Sequence, residues 1–156
     1  MMFNITGMLQ DRYGVESWPE VDFLNDTIKG FLTRRVCRKF LDKDVDDGLL
    51  NLLLACAQSA PTKSDLQQYS IIVVRDKSIK KEIADLIPSM PWIDNAPVFL
   101  GFFGDVRRIR CLAKLKNRRY ANNNADTFLN AAVDAALAMQ MFINAAESTG
   151  LGCCPI

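Results

Sequence analysis

The 156-residue chain contains no histidine. That removes Ser-His-Asp and Cys-His nucleophilic catalysis and most zinc enzymes, so acid–base work falls to carboxylates, Lys, Tyr, Cys or a cofactor. Paired cysteine spacing is missing too. The five cysteines (Cys37, Cys56, Cys111, Cys153, Cys154) are odd in number without a C-x-x-C, which argues against a disulfide frame or zinc site and for reduced thiols in the cytoplasm. Adjacent Cys153 and Cys154 read as small residues entering a buried strand in preference to a redox pair. No run reaches the ~18 apolar residues of a membrane span. The opening Met-Met-Phe-Asn-Ile-Thr-Gly lacks a basic segment followed by a long apolar stretch, so no signal peptide is expected. Nor is one sign of charge in excess: 19 basic against 18 acidic residues leave a formal +1, which argues against a nucleic-acid binder working through bulk charge. Internal repeats and low-complexity tracts are absent.

What is present fits one soluble globular domain with a real core, at 49% hydrophobic and 24% charged residues. Residues 1–20, punctuated by Gly7, Gly14 and Pro19, have weak periodicity and read as an irregular N-terminal arm; 21–156 read as the domain. A helix is expected from Val21 to Leu32, with Phe23, Leu24, Ile28, Phe31 and Leu32 on one side. Asp46 or Asp47 can cap a second helix, Asp47 to Ser59, whose leucines occupy nearly every face and predict burial all round. Tyr69 to Arg75 is β-branched and almost continuously apolar, the pattern of a strand covered on both faces. Asp76 to Leu86 predicts a helix with Lys77, Lys80, Lys81 and Glu82 wet and Ile79, Ile83 and Leu86 inside. A loop with Pro88, Pro91 and Trp92 leads to a second apolar strand, Ala96 to Phe103. Val106 to Tyr120 is basic and reads as a mobile, solvated helix, or as a nucleic-acid face, although only Tyr120 is interleaved with its charges. After a turn at Asn122 to Asn124, Asp126 to Thr149 is Ala-rich and apolar all round, as a central helix would be; Asp134, Gln140 and Asn144 are too polar for a lone membrane span. Gly150 and Gly152 end it, and Cys153 to Ile156 begins what looks like another strand.

Two polar stretches stand out against this apolar frame. Thr33 to Phe40 packs Arg34, Arg35, Arg38 and Lys39 into six residues between apolar segments. Guanidinium forks at a fixed place suit a phosphate, whose oxygens they bond in bidentate fashion, although such a cluster also suits a solvated surface. The second is the loop Ser59 to Tyr69, between an apolar helix and an apolar strand, which can supply hydrogen bonds to the rest of such a ligand.

Together these residues resemble the FMN-dependent nitroreductase family. Arg34, Arg35, Arg38 and Phe40 form an Arg-Arg-x-x-Arg-x-Phe segment like the family's opening motif. Ala60 to Tyr69 is similar to its Ala-Pro-Ser-x-x-Asn-x-Gln-Pro-Trp loop, and Ala145 to Gly152 to the close of its central helix. The resemblance runs from about Asp26 to Ile156. It implies an α+β fold, a three-layer αβα sandwich around a mixed sheet, incomplete at the C-terminus. It further implies a homodimer with one FMN at each of two sites in the subunit interface. NAD(P)H would reduce the flavin, which would pass electrons to a nitro-aromatic, quinone or similar small acceptor in ping-pong order, with no nucleic acid or membrane involved. Since the flavin carries the hard chemistry, no catalytic protein residue is named.

The same resemblance implies roles for single residues. Arg34 and Arg38 would hold the FMN phosphate and ribityl chain, with Arg35 a third contact and Val36 contributing backbone only, because family members often carry Ser there. Pro61 and Thr62 would line the flavin bound at the other subunit, Gln67 keeps the family's Gln, and Pro155 and Ile156 would run beside the ring. Lys63 could stabilise a negative charge on it. Asp65 stands where the family has Asn, turning an amide that donates and accepts into an acceptor; Gln68 and Tyr69 replace Pro-Trp. The family continues past Ile156 with further sheet and helix and a late phosphate-binding cation, so a fragment is expected in preference to a naturally short member. The alternative reading is a degenerate, non-catalytic protein that dimerises or holds flavin.

Overall fold

The computed structural model describes residues 5–14, 24–121 and 124–156. Three expectations fall partly outside them: the arm beyond Ile5–Gly14, the start of the first helix (Val21, Phe23), and Asn122 and Asn123 in the expected turn. Within the arm, Ile5–Tyr13 is helical (α1), not irregular. Its buried Leu9 and the Arg12 guanidinium, which donates to the Leu32 carbonyl oxygen, dock it on the next helix. Nine residues hold a helix through such contacts, not through propensity, which is why weak periodicity concealed it.

The next helix, α2, is Asp26–Thr33. It begins late because the Asn25 side chain accepts the Ile28 N–H at 2.9 Å, the usual N-cap device. Asp46 does the same for α3 (Asp47–Gln58), taking the Leu49 N–H at 3.0 Å. Leu50, Leu53 and Ala57 of α3 meet Phe142 and Ala146 in the main core cluster. Burial all round was expected of α3, but Leu52 is 59% exposed.

Strands β1 (Tyr69–Val74) and β2 (Phe99–Gly104) pair antiparallel, from Tyr69 opposite Gly104 to Val74 opposite Phe99. The α+β class holds, while the sheet among the described residues is this antiparallel pair and not a mixed sheet. Ile71, Leu100 and Phe102 lie against the core, whereas Ile72 and Phe103, on the other face, are exposed, so the strand expected to be covered on both faces has one open. Helix α4 (Lys77–Leu86) starts at the Asp76 cap, and its wet and dry sides depart from expectation. Lys80 is 5% exposed, its ammonium donating to the Ala96 carbonyl at 2.6 Å, while Ile79 and Leu86 are exposed. A buried ammonium needs such an acceptor, and the Lys stem is apolar enough to pack. Where a loop was expected, α5 (Trp92–Asn95) makes one turn against α4 and buries Ile93.

Helix α6 (Arg107–Leu115) carries the basic segment. Helix α7 (Ala125–Ser148) is the organising element, packing on α2, α3, β1 and β2. Ala131, Ala135 and Ala138 let it approach the sheet closely; at Gly104 a side chain would come within 3.1–3.2 Å of the Ala131 backbone. By length and composition α7 would also suit a bilayer, but it packs here as the domain's central helix. It ends in a Schellman motif: Gly150 at φ +86 donates to Glu147, and Leu151 donates to Ala146. Cys153 to Ile156 forms no strand; one bond, Cys37 N–H to the Cys153 carbonyl at 3.0 Å, ties it to the cation segment. Leu53 is 1% exposed in the main cluster, so Leu53→Ala should cost roughly 2–5 kcal/mol of unfolding free energy in urea titration. Leu86→Ala, at an exposed site, should stay within about 0.5 kcal/mol.

Candidate functional site

The loop between α3 and β1 is moulded by two side chains from elsewhere. Asp134, fully buried in α7, accepts the Lys63 N–H at 3.0 Å on one carboxylate oxygen and the Gln68 N–H at 3.1 Å on the other. Arg108 of α6 donates to the Leu66 and Gln67 carbonyl oxygens. Inside the loop, Thr62 Oγ1 accepts the Gln67 N–H at 3.2 Å. These bonds hold Ser64, Asp65 and Gln67 at φ of +53, +53 and +48. Left-handed backbone at residues with a Cβ costs on the order of 1 kcal/mol or more each and persists only where the surroundings impose it. Pro61, Lys63 and Asp65 are thereby presented to solvent on a fixed backbone, with Thr62 and Gln67 half-buried behind them.

The cation segment is anchored at the other end of α7. Arg34 Nε and Nη2 each donate to Glu147 at 2.9 Å, a bidentate ion pair, and that hydrogen bond raises the Arg34 pKa still further. Two of its five N–H donors are thus used, and the Nη1 edge remains. Arg35 is exposed, with Nη1 on the Arg34 carbonyl at 2.9 Å. Arg38 is also exposed, its guanidinium carbon 5.3 Å from the centre of the Trp92 ring. Such stacking restricts a long side chain and leaves its fork edges for an anion. Val36 is exposed, and Cys37 lies so close to Gly152 that a side chain there would come within 2.6 Å of its Cβ. Pro155 and Ile156, both exposed, continue from this contact.

The structure therefore brings Arg34, Arg35, Val36, Arg38, Pro155 and Ile156 into one neighbourhood, and Pro61, Thr62, Lys63, Asp65 and Gln67 into another. Their anchors, Glu147 and Asp134, are thirteen residues apart on one helix, which at ~1.5 Å per residue is about 20 Å. Sequence reasoning singled out neither anchor for a role, nor Arg108 or Trp92. A carboxylate in an apolar helix was the available signal for Asp134, because a buried charge requires partners. Glu147, 113 residues from Arg34, gave none.

Burial pushes the Cys153 thiol up to about 11, with Glu147 adding to the shift and Arg34 opposing it. A thiol held protonated is a poor nucleophile, which weighs against a redox role for the Cys153–Cys154 pair. Cys153 should therefore alkylate more slowly than exposed Cys111 at pH 8, read by mass spectrometry of the labelled peptides. Because the folded state holds the proton more tightly, the Cys153 contribution to stability is intact below pH 9 and is lost as pH rises from about 9 to 11. Asp134→Ala leaves two backbone N–H groups without their acceptor, and should lower unfolding free energy by roughly 2–4 kcal/mol while accelerating hydrogen exchange at the Lys63 and Gln68 amides.

Comparison with known proteins bears on the family and the fold. The model of the nitroreductase family matches residues 32–156. A Bacillus subtilis (strain 168) protein named FMN reductase NAD(P)H is 38% identical over 135 residues, covering 85% of this chain and 54% of that protein. The NADPH-flavin oxidoreductase of Vibrio harveyi is 30% identical, covering 83% of this chain and 52% of its own length. The chain thus spans about half the length of these curated relatives. Among solved structures, NfrA2 of B. megaterium superposes with a TM-score of 0.79 at 35% identity, over 83% of this chain and 53% of that one. NADPH:FMN oxidoreductase from Vibrio harveyi, complexed with NAD+, gives 0.74 at 30% identity over 82% and 54%. On its fold and its sequence, the chain belongs to the nitroreductase family.

Proposed function

We propose that this chain is the flavin-binding part of an FMN-dependent NAD(P)H oxidoreductase that works as a homodimer in the cytoplasm. The observation that carries the reading is the cation segment: two exposed guanidiniums, Arg35 and Arg38, and a third, Arg34, fixed by Glu147 with donors to spare. That donor set fits a phosphate monoester. Exposed Val36, Pro155 and Ile156 offer apolar contact for a ring beside it. The names of the relatives, FMN reductase and NADPH-flavin oxidoreductase, support FMN as the ester and NAD(P)H as the donor.

The separation along α7 supports a homodimer. The loop around Pro61 and Thr62 stands about 20 Å from the cation segment of its own chain, so one flavin would draw the loop from a second copy. Helix α7 has a face for that copy, because Leu129, Val133 and Leu137, spaced by four, are exposed together with Phe128. An apolar stripe of this kind marks an association surface.

In this reading Arg35 and Arg38 bind the phosphate, Arg34 shares it with Glu147, and Trp92 keeps Arg38 oriented. The partner's Pro61 and Thr62 lie along the ring, where exposed Lys63 supplies positive charge and Asp65 tempers it. FMN held by these residues would supply the redox chemistry, hydride acceptance from NAD(P)H and electron delivery to an acceptor such as a nitro-aromatic or quinone in ping-pong order. The protein's share is positioning and electrostatics, which is compatible with a chain that has no histidine.

Purified protein should be yellow, hold one FMN per chain, sediment as a dimer and bleach with NADH or NADPH. Arg38→Ala should weaken FMN by roughly 1.5–3 kcal/mol in calorimetric titration, as expected for a charged hydrogen bond, and leave phosphate-free riboflavin unaffected. Arg34→Ala should in addition lower folding stability by about 1–2 kcal/mol, because it strips Glu147 of a partly buried partner. Colourless protein that cannot be loaded with FMN would sink the proposal.

A further inference from the structure

The basic helix α6 has a role that flavin binding does not absorb. Arg110, Lys114 and Arg118 recur at intervals of four, and with Ala113 and Tyr120 they line a cavity of about 330 Å³. Like charges at this spacing repel one another on a helix, and no carboxylate pairs with Lys114 or Arg118 among the described residues. The C-terminal turn brings them together: Asn117 adopts φ +47, and the Arg118 N–H bonds the Ala113 carbonyl at 2.8 Å, folding Arg118 back over the helix. The Arg110 guanidinium lies 5.9 Å from the centre of the Tyr120 ring, fixing an aromatic wall beside the cations. The arrangement offers a dianion several charged donors and a planar base one ring to stack on.

The cavity is also tied to the candidate site. At the opposite end of α6, Arg108 bonds the loop carbonyls of Leu66 and Gln67. From Arg108 to Lys114 is six helical residues, or about 9 Å, a distance that an extended dinucleotide spans.

We infer that the α6 cavity, built by Arg110, Lys114, Arg118 and Tyr120, binds the adenosine 2′-phosphate end of NADPH and makes the protein prefer NADPH to NADH. The inference rests on the reading of the chain as an NAD(P)H oxidoreductase and names the feature that selects the donor. Tyr120 stacks on the adenine, and the three cations take the phosphate that NADH lacks. Nothing else on α6 discriminates the two donors, since they share every other group.

The test uses the chain with 2′,5′-ADP and 5′-AMP as probes in calorimetric titration, which needs no flavin and no turnover. The wild type should bind 2′,5′-ADP at least tenfold more tightly than 5′-AMP. The Lys114→Gln/Arg118→Gln double variant should lose that difference, and Lys116→Gln, at a position that does not line the cavity, should keep it. With FMN bound, kcat/KM for NADPH should fall at least tenfold in the double variant through KM, with kcat and the NADH parameters held. Equal binding of the two nucleotides by the wild type, or an undiminished preference in the double variant, would overturn the inference. Salt-dependent binding of a single-stranded oligonucleotide that 2′,5′-ADP does not displace would overturn it in favour of a nucleic-acid face. Failure of the flavin reading is seen separately, as protein that will not take up FMN but still distinguishes the two nucleotides.

Discussion

The fold turns on a single buried carboxylate. Asp134 sits fully buried in the long apolar helix α7, where an unpaired charge would be prohibitive, and both of its oxygens are taken by backbone N–H groups from the loop after α3. The dependence is mutual. The loop keeps three left-handed residues because the carboxylate and Arg108 hold its backbone, and the carboxylate is tolerable inside because the loop folds over it. The small alanines around Asp134 have the same logic, since they allow the sheet and the loop to come near enough for those bonds to form.

Helix α7 thus works as a beam with one attachment near its middle and another at its end. Asp134 fixes the loop, Glu147 fixes Arg34, and the Schellman turn at Gly150 sends the chain back beside Cys37. A rigid helix keeps these attachments at constant separation, which two halves of a site joined by flexible segments would not share. In the proposed dimer, the apolar residues left on its outer side at intervals of four would seat the equivalent stripe of a second copy.

Much of this was legible in sequence where the determinant is local. The cap at Asp46, the stop at Gly150, both apolar strands and the long helix follow from residues within a turn of the feature they set. What failed was burial. Lys80 went inside and Leu86 outside because the Ala96 carbonyl, sixteen residues on from Lys80, offers the ammonium an acceptor, and no helical periodicity encodes that. The strand at Tyr69 read as doubly covered because its composition is apolar on both sides, while coverage depends on what lies across each face. The candidate site divides in the same way. The residue types were visible in the motifs, but the partners that orient them, Glu147 for Arg34 and Trp92 for Arg38, are long-range and had no spacing to announce them.

The Arg34–Glu147 pair also sets an order of events during synthesis. It closes a loop of 113 residues, and a loop of that length is entropically costly to close before the intervening structure has condensed. On a ribosome, α3 and β1 can meet their near neighbours while α7 is still being made, but Arg34 has no partner until almost the entire helix has emerged. The arginine segment, among the first parts of the domain to be translated, is thereby among the last to find its place.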